Sequence, residues 1–255
     1  ADALTGCELF LYYTVFYEED VITRHMLLKN RGKNAVKIEK CMPLMLDFYR
    51  SDFDMISLYG GHCREVNFQR VPLHHGTQSV YSKRGASSHQ YNPFVALCDH
   101  GASEERGEVY GFNLVYSGNF TASVHVDANR CSRVFLGLNG VDFSWKLTPG
   151  ETFHTPEAVV AYSDAGLDGM SRQFHRVCGS HLVRGKYAKA PRPILLNNWE
   201  ATYFNFNEEK LLGIARTAAD VGVELFVLDD GWFGKRDTDN CSLGDWVVDK
   251  KKLPN

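Results

Sequence analysis

A short apolar run that ends abruptly in two acids limits the folds open to this chain more than any other feature. The segment Val223 to Gly234 reads V-E-L-F-V-L-D-D-G-W-F-G, and its apolar run Leu225 to Leu228 is followed at once by Asp229 and Asp230. An apolar run of this length is typical of a strand buried on both faces of a parallel sheet. Such sheets bind their ligands beyond the carboxyl ends of their strands, so we expect the two acids to lie at a binding site.

A parallel sheet requires a second strand, and the preceding residues supply one. Ile194 to Asn197 is a short apolar segment, and Asn205 with Glu208 three residues later resembles a capping box that opens a helix. The apolar face of this helix consists of Leu211, Ile214, Ala215, Ala218 and Ala219. A right-handed crossover makes the two strands parallel and brings Trp199 to the same end of the sheet as the acids.

Two adjacent carboxylates are costly to withdraw from water, because like charges repel and both groups lose hydration. A metal ion, an Arg or Lys partner, or the hydroxyls of a polyol could each offset this cost. The alternative is an ordinary acidic turn, since Asp and Gly are common in loops. Trp232 and Phe233, which follow the acids, favour a sugar, because an aromatic ring packs on its C–H faces while carboxylates accept hydrogen bonds from its hydroxyls.

From Cys7 to about Tyr162 the sequence alternates between apolar and polar residues. In one such run Phe143, Trp145 and Leu147 alternate with polar residues. Further predicted strands are Leu9 to Tyr17, Val21 to Leu28, Val36 to Ile38, Val109 to Tyr116, Ala122 to Val126 and Val134 to Leu138. Many short strands at this spacing predict an antiparallel β-sandwich.

One stretch within this region, Gly76 to Leu97, does not have the pattern of a strand. Its centre, Ser82 to Asn92, is rich in small and polar residues. It is either a solvated loop or a loop that closes over a polar ligand, since long loops in compact domains are often functional.

After Tyr162 the pattern changes from strand to helix. Met170, Phe174, Val177 and His181 recur at helical spacing, which predicts a helix over Ser171 to Leu182. Pro191 and Pro193 then mark a boundary. We therefore divide the chain into a β-sandwich domain over residues 1–165, a linker helix and connector over 166–190, and a segment over 191–255 that contains the βαβ unit.

Charge and cysteine content argue against several classes of partner. The net charge is -3, so nothing favours nucleic acid or an anionic membrane as a partner. The 7 cysteines form no C-x-x-C pair and are odd in number, which favours reduced thiols and a cytoplasmic location. The 10 histidines lack zinc-ligand spacing, and neither G-x-G-x-x-G nor a P-loop is present, so we expect no metal and no cofactor.

Several motifs along the chain carry a family resemblance. L-N-N-W-E-A-T-Y-F spans Leu196 to Phe204, L-D-D-G-W-F-G spans Leu228 to Gly234, and L-G-D-W-V-V-D-K-K-K-L-P spans Leu243 to Pro254. R-G-A-S-S-H-Q-Y-N-P-F lies within Ser82 to Leu97, and L-Y-G-G-H-C-R-E spans Leu58 to Glu65. These motifs resemble glycoside hydrolase family 36, the bacterial α-galactosidases, and the match covers most of the chain.

The resemblance implies an N-terminal β-sandwich (supersandwich) followed by a (β/α)8 barrel, which residues 191–255 would begin. It implies retaining hydrolysis of terminal α-linked galactose from oligosaccharides of the melibiose and raffinose type. By motif, Asp229 and Asp230 would hold the C6 and C4 hydroxyls of galactose, and Trp199 would pack on the sugar. Trp232 is a further candidate contact, and the full-length protein would be a homo-oligomer, either a dimer or a tetramer.

Two departures from the family pattern qualify these expectations. Many members carry tryptophan at the position of His62, and their N-terminal domain reaches a neighbouring subunit's active site, so His62 and Arg64 are candidate contacts to substrate or to a second subunit. A full barrel needs on the order of 250 residues, and the K-W-D motif of the family nucleophile is absent from this sequence, as is the acid/base motif. We therefore expect no catalytic residue within the chain, with the nucleophile and acid/base beyond Asn255, and no hydrolysis by the chain alone. A non-catalytic carbohydrate-binding or oligomerisation module is the alternative.

Overall fold

Antiparallel strands dominate residues 1–163 of the computed structural model, which describes all 255 residues. The chain divides into two compact units, Ala1–Val183 and Arg184–Asn255. The strands of the first unit are β1 (Cys7–Phe16), β2 (Val21–Asn30), β3 (Val36–Ile38), β4 (Leu44–Phe48), β5 (Phe53–Gly61), β6 (Arg64–Pro72), β7 (Gly76–Tyr81), β8 (Tyr91–Asp99), β9 (Val109–Val115), β10 (Phe120–Val126), β11 (Ser132–Leu138), β12 (Trp145–Leu147), β13 (Thr152–His154) and β14 (Glu157–Ser163).

These strands form one large and one small antiparallel sheet that pack against each other. The large sheet has the order β1-β2-β14-β9-β8-β5-β6, with β13 also paired to β2, and the small sheet has the order β4-β11-β10-β7. Strands β3 and β12 form a separate antiparallel pair. The predicted mainly-β fold with an antiparallel β-sandwich is confirmed.

The core of the sandwich follows from the alternation of side chains along each strand. In β8, Val95 and Leu97 belong to the core between the two sheets, whereas Ala96 and Cys98 belong to a second cluster on the opposite face of the large sheet. Successive side chains of a strand point to opposite faces, so one strand contributes to both clusters. Phe112 of β9 is fully buried in the core between the sheets, and burial of a side chain of this kind contributes roughly 1.5–3 kcal/mol.

A helix, α1 (Gly166–Val177), covers the second cluster on the opposite face of the large sheet. The sequence predicted a helix over Ser171 to Leu182, and the observed one begins earlier. The main-chain N–H of Leu167 donates to the carbonyl of Ser103 over 3.0 Å, so a loop of the sandwich fixes the first turn. After Val177 the chain continues as a π-helical turn over Cys178–Leu182. These tertiary contacts are not visible in helical periodicity.

The stretch Gly76 to Leu97, interpreted above as lacking strands, contains β7 and most of β8, so that interpretation was wrong at both ends. Val80 is buried while the neighbouring Ser79 and Tyr81 are exposed, an alternation too short to stand out in the sequence. Only the polar centre is a loop. Its Gly85 N–H donates to the Asn119 side chain over 2.7 Å, which holds the loop to the turn before β10.

The second unit is a parallel βαβ arrangement, as predicted. Strands β15 (Leu195–Asn197) and β16 (Leu225–Val227) pair in parallel, and between them lie a short helix, α2 (Trp199–Thr202), and a longer one, α3 (Glu208–Asp220). The N-cap of α3 is Asn207, whose side-chain oxygen accepts the Lys210 N–H over 2.9 Å. The predicted cap, Asn205, lies outside the helix. No helix of the chain has the length and apolarity needed to cross a membrane.

Candidate functional site

The two acids lie beyond the end of β16, and the end of β15 holds the first of them. The Asn197 side-chain amide donates to Asp229 Oδ2 over 2.6 Å, and the Asn198 side-chain oxygen accepts the Asp229 N–H over 2.8 Å. Asn198 is fully buried and also donates to the Thr202 hydroxyl in α2 over 2.8 Å. The pair of asparagines therefore couples the carboxyl ends of the two parallel strands.

The second acid is paired with a buried cation that the sequence did not single out. Arg236 Nε donates to Asp230 Oδ1 over 2.5 Å, and the Gly231 N–H donates to the same oxygen over 2.7 Å. The hydrogen bond from Arg236 is the largest cause that lowers the pKa of Asp230 below its ordinary value. Of the three stabilisers considered above, an Arg partner is therefore present within the chain, and Asp230 is an ionised acceptor at neutral pH.

A second cation, the largely enclosed Lys252, supports the same turn. Lys252 Nζ donates to the carbonyls of Phe204, Gly231 and Arg236 at 3.2, 3.0 and 3.3 Å, and it pairs with Asp237 at 2.8 Å. Its side chain is only 13% exposed. Three successive lysines such as Lys250 to Lys252 are typical of a solvated charge run, but Lys252 departs from this pattern, because three main-chain carbonyls and a carboxylate replace its hydration.

A cavity of about 450 Å³ opens beside the acids. It is lined by Val227, Leu228, Asp229, Asp230, Trp232, Phe233, Leu243 and Trp246. The rings of Trp232 and Trp246 lie 6.4 Å apart between centroids, and Phe233 packs 4.5 Å from Trp246. Carboxylates beside exposed aromatic rings suit a ligand with both hydroxyl groups and C–H faces.

The structure brings together three of the candidate residues, Asp229, Asp230 and Trp232, around this cavity. Trp199 opens α2 and is half-buried, with its ring edge-on to Tyr203 and Phe204 at 5.3 and 4.9 Å. Trp199 belongs to the same unit, but it is not among the residues that line the cavity.

The other two candidates, His62 and Arg64, are in the first unit. Both are exposed at the tip of the hairpin that joins β5 to β6. Cys63 between them has a positive φ of 58°, a backbone conformation that is typical of tight turns.

Five residues of the site were not predicted from the sequence: Asn197, Asn198, Arg236, Lys252 and Trp246. The asparagines had a usable signal, since they follow a predicted strand at the same end as the acids. Arg236 and Lys252 had no such signal in the sequence. Each bonds main-chain carbonyls and one acid, Asp230 or Asp237, that only the folded turn brings close. No group of three or more His, Cys, Asp or Glu side chains is placed to bind a metal ion.

Comparison with known proteins places the chain in a family. The model of the glycosyl hydrolase family 36 N-terminal domain matches residues 1–148, and the melibiase model matches residues 152–255. Alpha-galactosidase AgaA of Geobacillus stearothermophilus is 53% identical over 254 residues, and alpha-galactosidase Mel36A of Lactobacillus acidophilus is 47% identical over 254 residues. Each match covers 100% of this chain but only 35% of the relative.

Solved structures agree with these matches. A crystal structure of AgaA superimposes with a TM-score of 0.96 at 53% identity, over 100% of this chain and 35% of that one. A crystal structure of an AgaA variant in complex with raffinose has a TM-score of 0.96 at 52% identity, with the same coverage. The chain thus spans about a third of the length of the relatives it matches, 35% in each case. Since the N-terminal-domain model alone matches more than half of its 255 residues, the chain belongs to glycosyl hydrolase family 36.

Proposed function

We propose that the protein to which this chain belongs is an α-galactosidase that releases terminal α-linked galactose from oligosaccharides of the melibiose and raffinose type. The chain's family membership and the α-galactosidase names of its relatives support this proposal. The observation that carries it furthest is the fixed, ionised carboxylate of Asp230 beside an aromatic cavity. Within the chain, Asp229, Asp230 and Trp199 would bind the galactose, and Trp232 is a further candidate contact.

The environment of Asp230 suits hydroxyl recognition better than proton transfer. A general acid or base works best with a pKa near the working pH, and the hydrogen bond from Arg236 holds the pKa of Asp230 below its ordinary value. An ionised carboxylate is an acceptor only. We therefore assign Asp230 to the axial C4 hydroxyl of galactose and Asp229 to the C6 hydroxyl, and assign neither to the chemical step.

Assignment of Asp230 to C4 gives it a role in specificity. Glucose and galactose differ in the direction of the C4 hydroxyl, so a carboxylate fixed to accept from the axial hydroxyl is left unpaired by glucose. Sites that lose a buried hydrogen bond in this way reject the wrong substrate strongly. The fixed position of Asp230 supports this selectivity, because a mobile carboxylate would adapt to either sugar.

The chemical step itself requires two further carboxyl groups. Retaining glycosidases place a nucleophile and an acid/base about 5–5.5 Å apart on either side of the scissile bond. Asp229 and Asp230 are adjacent residues of one turn, and each carboxylate already has a hydrogen-bond partner, Asn197 for Asp229 and Arg236 for Asp230. We propose that the nucleophile and the acid/base lie outside these 255 residues, and that this chain alone does not hydrolyse galactosides.

Assembly, location and domain limits complete the proposal. We propose a homo-oligomeric full-length protein, a dimer or tetramer, in which His62 and Arg64 contact substrate or a second subunit; their exposure at a hairpin tip supports this.

Seven free cysteines support a cytoplasmic location. We propose a sandwich domain, 1–165, a linker helix and connector, 166–190, and the beginning of the barrel, 191–255; the division between Val183 and Arg184 falls within the connector, whose helix packs on the sandwich.

The test is release of p-nitrophenol from p-nitrophenyl α-galactoside by the full-length protein and by this chain. The full-length protein should be active, Asp230→Ala should abolish the activity, and this chain should be inactive. Asp220→Ala, at an exposed acid in α3 of the same unit, is the matched control and should leave the activity unchanged. Turnover by the 255-residue chain would refute the placement of the catalytic carboxylates. An inactive full-length protein that still binds galactose would favour the carbohydrate-binding alternative.

A further inference from the structure

We propose that Arg236 is a positioning residue that orients the Asp230 carboxylate and thereby sets the galactose selectivity of the site. The inference rests on the proposed function, since it assigns a task to a residue behind the proposed sugar contact. It concerns a side chain that does not line the cavity itself.

The first observation is the unequal use of the two Asp230 oxygens. Oδ1 accepts from both Arg236 Nε and the Gly231 N–H, at 2.5 and 2.7 Å. Oδ2 accepts from no group of the chain. Two donors on one oxygen fix the plane of the carboxylate and leave the other oxygen free to accept a hydroxyl.

The second observation is that Arg236 is itself fixed. Its Nη1 donates to the carbonyls of Thr238, Asp239 and Cys241 at 3.2, 3.1 and 2.7 Å. The side chain is 5% exposed, and its guanidinium carbon lies 5.8 Å from the Phe204 ring centre and 5.9 Å from that of Phe233. A planar guanidinium bonds a carboxylate with one nitrogen and main-chain carbonyls with another, so both directions are fixed together, whereas a lysine has a single rotatable ammonium group.

The third observation is that Arg236 bonds the Asp230 carboxylate, whereas other groups hold Asp229 and the turn. Asp229 is held without it, because Asn197 donates to Oδ2 and the Asp230 N–H donates to Oδ1. Lys252 bonds the Gly231 carbonyl and not the Asp230 carboxylate. A change at Arg236 should therefore act on Asp230 through its carboxylate, and Lys252 provides only the surrounding positive charge and support for the turn.

The experiment combines a readout on this chain with one on the full-length protein. In the chain, ¹³C NMR follows the side-chain carboxyl of Asp230 through a pH titration. In the full-length protein, calorimetry measures the dissociation constants of galactose and glucose. The variants are Arg236→Gln and Arg236→Lys. The matched control is Lys235→Gln at the exposed neighbour, whose side chain makes no hydrogen bond.

Arg236→Gln should raise the pKa of Asp230 towards the ordinary value of about 3.9 and weaken galactose binding on the order of tenfold, the loss expected for one hydrogen bond to a charged group. Arg236→Lys keeps the positive charge but not the fixed hydrogen bond, which is the largest cause of the lowered pKa, so the pKa of Asp230 should rise less than in Arg236→Gln. The affinity of Arg236→Lys for galactose should still fall towards its affinity for glucose, because the Asp230 carboxylate is no longer held in one orientation. Lys235→Gln should change neither quantity.

Two results would overturn the proposal. One is an unchanged pKa of Asp230 in Arg236→Gln, and the other is unchanged galactose affinity in both Arg236 variants of a protein that binds galactose. Circular dichroism identifies a variant that fails to fold, and Arg236→Lys then carries the test, since it retains a cation at this position. Failure of the unaltered full-length protein to bind galactose would refute the proposed function itself, while the pKa titration would still measure how Arg236 holds Asp230.

Discussion

The ammonium group of Lys252 donates to the main-chain carbonyl of Gly231 over 3.0 Å, directly behind the two acids. Main-chain carbonyls in a turn have no regular secondary-structure partners, and buried ones require a donor. Lys252 satisfies three of them with its three N–H groups and is balanced by Asp237. The position of the acidic turn therefore depends on a side chain 21 residues away from Gly231 in the sequence.

Replacement of this cation should loosen the second unit. Lys252→Met removes hydrogen bonds from a charged donor, each of which contributes about 1.5–3 kcal/mol, and leaves carbonyls without a donor. We expect the loss of all three hydrogen bonds together to lower the free energy of unfolding by about 1.5–3 kcal/mol. Urea denaturation monitored by tryptophan fluorescence is a suitable measurement, because Trp199, Trp232 and Trp246 all lie in this unit.

The exposed Lys250 gives the control, since its side chain has no partner in the chain. Lys250→Met should change the free energy of unfolding by no more than about 0.5 kcal/mol. An equal effect of the two variants would show that general charge, not the bonds of Lys252, stabilises the turn.

The glycine after the acids should resist substitution for two separable reasons. Gly231 and Gly222 have φ values of 87° and 90°, so alanine is strained by a similar amount, about 1–2 kcal/mol, at either position. A Cβ at Gly231 would also lie 2.9 Å from Phe204 Cδ1 and 3.3 Å from Phe206 Cε1, whereas at Gly222 it would meet nothing within 4 Å. Gly231→Ala should therefore cost about 1–3 kcal/mol more than Gly222→Ala.

The same pair of variants tests the link between this turn and sugar binding. In the full-length protein, Gly231→Ala should weaken galactose binding, because the displaced turn carries Asp230. Gly222→Ala should leave the affinity unchanged, since it ends α3 away from the cavity. Calorimetry measures both affinities, and equal losses would contradict the dependence of the sugar site on the Gly231 contacts.

Local pattern predicted the architecture because both units depend on short-range rules. The alternation in β8 and β9 is set by which face each side chain occupies, and the apolar run before Asp229 is a property of a single strand. Likewise, the crossover rule was sufficient to place Asn197 and Asp229 at one end of the sheet, where they bond over 2.6 Å. These features require no knowledge of distant residues.

What the sequence could not provide depends on tertiary partners. The start of α1 is fixed by carbonyls of Ser103 and Glu104, and the N-cap moves to Asn207 because its extended backbone aims the side chain at Lys210 N–H. Arg236 resembles any surface arginine until the fold places Asp230 beside it. Composition and periodicity contain no information on such pairs.

A close approach of two backbones within the sandwich gives a further prediction. A Cβ at Gly137 in β11 would lie 2.2 Å from the Cys41 carbonyl oxygen and 2.7 Å from Met42 Cα. These are main-chain atoms, and the Leu138 N–H holds the same Cys41 carbonyl over 2.9 Å. Gly137→Ala should therefore destabilise the first unit by about 1–3 kcal/mol.

Gly140, in the loop after β11, provides the comparison. A Cβ there would meet only the Glu39 carbonyl oxygen, at 3.8 Å, which is ordinary contact. Gly140→Ala should change the free energy of unfolding by no more than about 0.5 kcal/mol. Thermal unfolding followed by circular dichroism measures both. Similar midpoints for Gly137→Ala and the unaltered chain would mean that the Cys41 segment moves away at little cost.

A buried acid in the sandwich should govern part of the acid stability of the first unit. Asp54 in β5 accepts from Arg70 Nε at 2.7 Å and lies 2.7 Å from His100 Nδ1, with its side chain 9% exposed. Burial alone would raise the pKa of Asp54, but the hydrogen bonds from Arg70 and His100 outweigh burial and lower it below its ordinary value.

Because the folded state lowers this pKa, the stabilisation is present above the unfolded pKa of about 3.9 and is lost as the pH falls through the lower folded value. Asp54→Asn should therefore be less stable than the unaltered chain at pH 5, and the difference should shrink as the pH falls towards 3. Urea denaturation at half-unit pH steps between these two pH values measures the difference in the free energy of unfolding. Asp142→Asn, at an exposed acid without a hydrogen-bond partner, is the control and should show no such convergence. A constant difference between Asp54→Asn and the unaltered chain down to pH 3 would show that the Arg70 pair contributes through geometry, independently of the charge on Asp54.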